Sequence, residues 1–122
     1  IQYTLAVDRS NELVSELYTP LHTSVIQLLR RVVELGHKAA MEVGICGEMA
    51  SEPYFIPLLV GMEFNFFSMN ANAIPGIKQL IREITMTEAK KWVNEICELD
   101  NPEEIREYLD QRYAAHLPAV FA

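Results

Sequence analysis

Cysteine is scarce in this sequence: only Cys46 and Cys97 occur among 122 residues. Small domains that depend on disulfides usually carry several cysteine pairs, so this count argues against a disulfide framework and favours a reducing compartment, the cytoplasm. The three histidines, His22, His37 and His116, are not spaced as metal ligands with one another or with either cysteine. We therefore predict no metal site in this chain.

The sequence also lacks an excess of positive charge and long apolar runs. The 17 acidic and 10 basic residues leave a net charge of -7, which argues against a nucleic-acid partner because such surfaces need an excess of cations. No apolar run reaches the ~18 to 20 residues of a membrane span, and no signal peptide is recognisable. We therefore predict no membrane association.

Half of the residues are apolar, which is enough for the core of one domain. The short apolar segments "MEVGICG" (41–47) and "FNFFSM" (64–69) predict two strands, the first a buried parallel strand bounded by glycine. A helix is expected after "TPLH", capped by Thr23 or Ser24. Its wide apolar stripe would consist of Val25, Ile26, Leu28, Leu29, Val32, Val33 and Leu35.

Further helices are predicted between and after the two strands. Ser51 is expected to cap one that runs through "YFIPLLVGM" (54–62), where Pro57 is tolerable only within the first turn. "GIKQLIREI" follows Pro75. Two amphipathic helices, 87–99 and 101–117, end the sequence, with Asn101 as a cap and with Trp92 and Cys97 on apolar faces. The alternation of strand and helix predicts an α/β fold with parallel strands and crossover helices.

Cys46 is the first candidate for chemistry, since it lies between Gly44 and Gly47 at the end of a predicted strand. Free cysteine is most often a buried core residue. In parallel α/β folds, however, the carboxyl end of a strand opens on the site crevice, and the glycines would allow close backbone approach. An unperturbed thiol is mostly protonated at neutral pH, so it can donate a proton as well as become a nucleophile. The residues alone leave both interpretations open.

Arg9 is the second candidate, and it follows Asp8. The pair is either a surface ion pair or a guanidinium, oriented by the carboxylate, that binds a phosphate or carboxylate. Asn70 and Asn72 follow the second predicted strand, where a phosphate-binding loop could lie. Their simpler interpretation is that they form a turn.

Three motifs occur in one order: "QYTLAVDRSNELVSELYTPLH", "VGICGEMASEP" and "IPLLVGMEFNFFSMNANAIP". Together they resemble the closing segment of the phosphoenolpyruvate-utilising enzymes, and within them the enzyme I group of the bacterial sugar phosphotransferase system. The resemblance covers roughly residues 2 to 84. The last two helices, 87–117, match less distinctively.

The resemblance implies a C-terminal fragment of a phosphoenolpyruvate-binding (β/α)8 barrel. Residues 1–84 would hold the seventh and eighth strands with their helices, and residues 85–122 the C-terminal helical pair. By the family's motifs, Cys46 would be the proton donor to C3 of the enolate and Arg9 would contact phosphoenolpyruvate. The family also uses Mg²⁺ and a histidine on an N-terminal domain that passes the phosphoryl group to a phosphocarrier protein.

Several parts of the family's site are missing from this sequence: the "GTND" segment, a magnesium-binding glutamate, two further arginines and the phosphohistidine domain. We therefore expect the chain alone to be inactive. Two strands would leave open edges, so we expect an α-rich homo-oligomer. The alternatives are a fragment of phosphoenolpyruvate synthase or pyruvate phosphate dikinase, or a non-catalytic helical module that dimerises or binds a partner.

Overall fold

The computed structural model describes residues 1–8 and 10–113. Within these residues short 3-10 turns cover Ser15–Leu17 and Pro53–Phe55. The other elements are α1 Gln2–Leu5, α2 Thr23–Lys38, β1 Gly44–Cys46, α3 Glu48–Ser51, α4 Ile56–Gly61, β2 Phe66–Ser68, α5 Ile74–Glu83, α6 Met86–Ile96 and α7 Pro102–Tyr113. The predicted helix-rich α/β class is confirmed.

The two strands pair in parallel, with Gly44 opposite Phe66 and Cys46 opposite Ser68. Both predicted strands are therefore present, and α3 and α4 form the crossover between them. The prediction that the first strand is buried was wrong. Only the middle residues, Ile45 and Phe67, pack against the core, while the residues on either side of them are exposed. Side chains alternate between the two faces of a strand, and the described helices cover one face of this sheet.

Helix α2 begins where expected but with a different cap. His22, in extended backbone conformation, precedes the helix, and its Nδ1 accepts a hydrogen bond from the Ser24 amide at 3.3 Å. The prediction of Thr23 or Ser24 as the cap was wrong because both residues already lie in the first helical turn. An imidazole nitrogen takes the place of the usual side-chain oxygen here.

The apolar stripe of α2 is narrower than predicted. Val25, Ile26 and Val33 are buried, and Leu29 is half-buried against the core. Three of the predicted stripe residues remain about half exposed: Leu28 at 51%, Val32 at 48% and Leu35 at 47%. Spaced four and three residues apart, these three form one exposed apolar row beside the buried face.

The segment after the first strand is not one helix capped by Ser51. The Ser51 hydroxyl donates to the Glu48 carbonyl oxygen at 3.0 Å, which closes the short helix α3. Pro53 then begins a 3-10 turn, and α4 starts only at Ile56. The two prolines divide the segment because neither can supply a backbone donor to a continuous helix. Pro57 lies in the first turn of α4, which is the part of a helix where the sequence predicts it to be tolerated.

The core consists of two clusters that share α4 and α6. Trp92 is buried as predicted, and its ring meets that of Tyr113 edge-on with 6.2 Å between centroids. Cys97 is half-buried against the core. Asn101 caps α7 as predicted, because its Oδ1 accepts from the Glu104 amide at 2.9 Å. The C-terminal helices are thus packed onto the segment that carries the two strands.

Candidate functional site

Cys46 ends β1 with a free and exposed thiol. It lies opposite Ser68 at the end of β2, so both residues occupy the carboxyl edge of the parallel pair. This edge is where α/β folds place their ligand sites. The interpretation of Cys46 as a buried core residue is therefore wrong, and the thiol is open to reagents and ligands.

Two glycines shape the backbone around this thiol. At Gly44 a Cβ atom would overlap the ring of Phe66 on the neighbouring strand, so only glycine lets that ring lie across β1. Gly47 has φ of 90°, which side chains disfavour, and a Cβ there would meet nothing within 4 Å. Glycine is therefore favoured at position 47 because of its backbone conformation and not because space is short. Together they give Cys46 an uncrowded position at the turn into α3.

A groove of about 980 Å³ opens beside the thiol. We call it the Cys46 groove. Among the residues that line it are Cys46, Glu48, Ser51, Glu52, Tyr54 and Arg106. Its charged side chains are two carboxylates and one guanidinium, so it combines a thiol, acids and a cation in one open space. Arg106 also lines a second groove of about 430 Å³, between α7 and the N-terminal segment.

Tyr54 connects the segment after Cys46 to α7. Its hydroxyl lies 2.9 Å from the Arg106 carbonyl oxygen and 3.1 Å from Asp110 Oδ1, and it donates to these acceptors. Burial, together with the hydrogen bond to Asp110, raises the pKa of Tyr54 well above its usual value. The hydroxyl therefore remains a protonated donor throughout the neutral range.

A second tyrosine makes a parallel connection. The Tyr113 hydroxyl donates to the Pro53 carbonyl oxygen at 2.9 Å. Burial raises the pKa of Tyr113, and the charge of Glu83 adds to the effect. The residues in these contacts are 52 to 60 positions apart. No local pattern in the sequence signalled Tyr54, Arg106 or Asp110, since only tertiary packing brings these segments together.

The other predicted site residues divide into those described and those not. Arg9 lies outside the described residues, whereas Asp8 accepts hydrogen bonds from the Ser10 amide at 2.9 Å and from the Ser10 hydroxyl at 2.7 Å. Asn70 accepts from the Asn72 amide at 3.0 Å. This contact confirms the interpretation of that segment as a turn.

Two of the three histidines have structural partners. His22 caps α2, and His37 Nε2 lies 3.0 Å from Asn65 Oδ1, which also accepts from the Val43 amide at 2.7 Å. His116 lies outside the described residues. Within residues 1–8 and 10–113, no three His, Cys, Asp or Glu side chains are grouped to hold a metal ion. In the same part of the chain, no helix combines the length and apolar character needed to cross a membrane.

Comparison with known proteins identifies relatives of this chain. Over 110 residues the chain is 38% identical to a phosphoenolpyruvate-protein phosphotransferase of Buchnera aphidicola subsp. Schizaphis graminum, an alignment that covers 90% of this chain and 19% of the relative. A protein of the same name from Listeria monocytogenes is 39% identical over 115 residues, which covers 94% of this chain and 20% of the relative. This chain thus spans about a fifth of the length of these curated relatives.

The family described as PEP-utilising enzyme, PEP-binding domain, matches residues 1–86. That match includes both strands, the Cys46 turn and the helices from α1 to α5. It ends where the C-terminal helical pair begins. The exposed thiol at the carboxyl edge of a parallel strand pair, the identity to these relatives and the family match agree, and this chain belongs to the PEP-utilising enzyme family, within its PEP-binding domain.

Proposed function

We propose that this chain is the closing part of the PEP-binding domain of a phosphoenolpyruvate–protein phosphotransferase. In this proposal β1 and β2 are the seventh and eighth strands of a (β/α)8 barrel, residues 1–84 form the strand region and residues 85–122 the C-terminal helical pair. The parallel pairing supports it, because a strand, crossover helix and parallel strand form the repeating unit of such a barrel.

The uncovered face of the sheet gives further support. Phe66 is 53% exposed and lies on the same face as Cys46. In a complete barrel this face would turn to the interior, where side chains from other strands would cover it. The exposed row of Leu28, Val32 and Leu35 on α2 would meet the neighbouring helix of the preceding unit. These surfaces are explained if the rest of the longer protein completes the domain.

Cys46 is the proposed proton donor. When the phosphoryl group of phosphoenolpyruvate moves to a histidine, the bond between phosphorus and the enol oxygen breaks and an enolate of pyruvate remains. The Cys46 S–H bond then breaks as a C–H bond forms at C3, which yields pyruvate and a thiolate that recovers its proton from water. The observation that carries this role is the exposed thiol at the carboxyl end of β1.

The remaining parts of the reaction lie outside the described residues. Arg9 is the proposed contact to the anionic substrate, since a guanidinium can bind a carboxylate or phosphate with two hydrogen bonds. The described residues hold no cluster fit for a metal, so the Mg²⁺ that the family uses would be bound by other parts of the longer protein. The phosphohistidine domain and its contact with the phosphocarrier protein belong there too.

The proposed setting is cytoplasmic, and the proposed assembly is a homo-oligomer. Two unpaired strand edges and exposed apolar residues favour association of copies when the chain is alone. The family match and the names of the relatives favour the phosphotransferase over a phosphoenolpyruvate synthase, a pyruvate phosphate dikinase or a non-catalytic helical module. Light scattering of the purified chain tests the assembly, and a monomer would contradict it.

The test of the catalytic role uses the longer protein. Cys46→Ala should lower pyruvate formation by about 10²- to 10⁴-fold, the usual contribution of a positioned general acid. Cys97→Ala is the matched control, because Cys97 lies away from the groove lining, and it should keep the wild-type rate. A Cys46→Ala enzyme that forms pyruvate at the wild-type rate would refute the role.

The chain by itself provides a second test. Catalytic groups that act as a unit do not retain proportional activity when most of them are removed. We therefore expect no pyruvate release above background when this chain of 122 residues is incubated with phosphoenolpyruvate and Mg²⁺. The longer protein, measured under the same conditions, is the positive control. Release dependent on Cys46 in the chain alone would show that the site is complete within it.

A further inference from the structure

We propose that Arg106, on the C-terminal helix α7, is an anion-binding residue of the Cys46 groove. This inference rests on the proposed function, which gives the groove a small anionic ligand. Arg106 would be a cation for that ligand, and it lies outside the residues that the family match covers. The match ends at residue 86, whereas Arg106 lies twenty residues beyond it and still lines the groove that holds Cys46. The ligand class is a small organic acid or its phosphate ester.

The guanidinium of Arg106 is available for such a ligand. In residues 1–8 and 10–113, Arg30, Arg31, Lys90 and Lys91 form ion pairs with glutamates, and Arg106 is not a member of these pairs. Asp110, one turn further along α7, would be its natural partner. The Asp110 carboxylate instead accepts a hydrogen bond from Tyr54 at 3.1 Å.

Tyr54 also fixes the position of the Arg106 backbone, from which the side chain extends. Its hydroxyl lies 2.9 Å from the backbone carbonyl oxygen of Arg106 itself, and Tyr113 holds the end of α7 to Pro53 at 2.9 Å. Both anchors fall in the segment that directly follows the Cys46 turn. The base of the Arg106 side chain is therefore held at a defined place beside the groove, although the residue as a whole is exposed.

The other charges of the groove explain why this cation matters. Glu48 and Glu52 line the same space, and two carboxylates repel an anion that approaches Cys46. Arg106 carries the basic side chain among the described lining, so it supplies an attraction that offsets them. A guanidinium binds a carboxylate or a phosphate through two parallel hydrogen bonds, and phosphoenolpyruvate carries both groups. Without Arg106, the charged side chains among the described lining would all be acidic.

The first test measures the effect of the Arg106 charge on the reactivity of the Cys46 thiol, and it requires no catalysis. Cys46 in the 122-residue chain is alkylated with iodoacetate, which is anionic, and with iodoacetamide, which is neutral, and peptide mass spectrometry separates its modification from that of Cys97. At low ionic strength, Arg106→Gln should lower the ratio of the iodoacetate rate to the iodoacetamide rate by about two- to threefold. Arg106→Lys, which keeps the charge, should retain most of the ratio.

Arg112→Gln is the matched control. Arg112 lies on the same helix but outside the groove lining, with its guanidinium over the Tyr108 ring, 5.8 Å from the centroid. This variant carries the same change in net charge and should leave the rate ratio at the wild-type value. An unchanged ratio in Arg106→Gln, or an equal fall in Arg112→Gln, would overturn the proposal.

The second test identifies the anion. Pyruvate, which offers only a carboxylate, and inorganic phosphate are added separately while the iodoacetamide reaction of Cys46 is followed. Protection by either one, lost in Arg106→Gln and kept in Arg112→Gln, supports the site and names the group that it binds. Protection by neither, or protection that survives Arg106→Gln, would refute it. Neither readout requires turnover, so failure here leaves the proton-donor role of Cys46 to its own test in the longer protein.

Discussion

Gly61 lies where the family-matched segment packs against the C-terminal helices. It ends α4, which packs against α6 more extensively than any other pair of elements. A Cβ atom at this position would overlap the backbone carbonyl group of Ala89 and lie 2.7 Å from Val93 Cγ2. The methyl group of Gly61→Ala therefore meets backbone that cannot rotate away, so α4 and α6 must separate.

The size of the effect follows from two opposing terms. Alanine favours a helix over glycine by about 1 kcal/mol. Overpacking a filled core costs about 1 to 3 kcal/mol, and the upper end applies here because Ala89 presents main-chain atoms. We expect Gly61→Ala to lower the free energy of unfolding by about 2 kcal/mol, which corresponds to a fall in Tm of about 8 °C for a domain of this size.

Thermal unfolding followed by circular dichroism measures this change. Asn94→Ala is the matched control, since Asn94 is exposed on α6 and its replacement alters helix propensity without changing the contact with α4. It should shift Tm by no more than about 2 °C. If Gly61→Ala were as stable as the wild-type chain, the gain in helix propensity would fully offset the steric term, and the close α4–α6 contact would be refuted.

Three further predictions concern polar contacts. Asn65→Ala removes both hydrogen bonds of the Asn65 side chain and should lower the free energy of unfolding in urea by about 1 to 2 kcal/mol; an unchanged midpoint would contradict this. Tyr113→Phe removes the hydroxyl that donates to the Pro53 carbonyl oxygen, which keeps its bond from the Ile56 amide, and should cost about 1 kcal/mol in the same assay, whereas no loss would show that the bond contributes nothing. Burial, and then the bond to Glu95, raises the pKa of Tyr108 from 10.0 to about 12. The folded chain thus holds this proton more tightly than the unfolded chain, so its contribution to stability is complete below pH 10 and is lost as the pH rises through about 12. Tyrosinate absorbance that titrates wholly near pH 10 in the folded chain would contradict it.

Much of the fold was accessible from local patterns. Two short apolar segments, the first of them bounded by glycine, predicted both strands, and Asn101 before Pro102 predicted the start of α7. The errors arose where tertiary contacts competed with a local signal. Ser51 has the chemistry of a cap, but the prolines that follow it broke the helix into pieces. Leu28, Val32 and Leu35 are apolar at helical spacing, yet no described element covers them.

For the site, the sequence predicted the identity of the thiol but not its surroundings. The motif around Cys46 and its resemblance to a family pointed to a proton donor because motif residues are contiguous in the chain. The choice between a buried and a presented thiol depended on which face of β1 the helices cover, and only the folded structure decided that. Gly47 illustrates the same division. The sequence showed that a glycine follows Cys46, but only the structure showed that its φ is 90°.

The sequence by itself determined the α/β class, the parallel strand order and the family, because these depend on periodicity, turn residues and contiguous motifs. The tertiary structure alone decided which charges share the space beside Cys46. Arg106 lies in a helix sixty positions along the chain from that cysteine. It reaches the groove because the hydroxyl groups of Tyr54 and Tyr113 hold α7 in place, and long-range hydrogen bonds of this kind leave no periodic trace in a sequence.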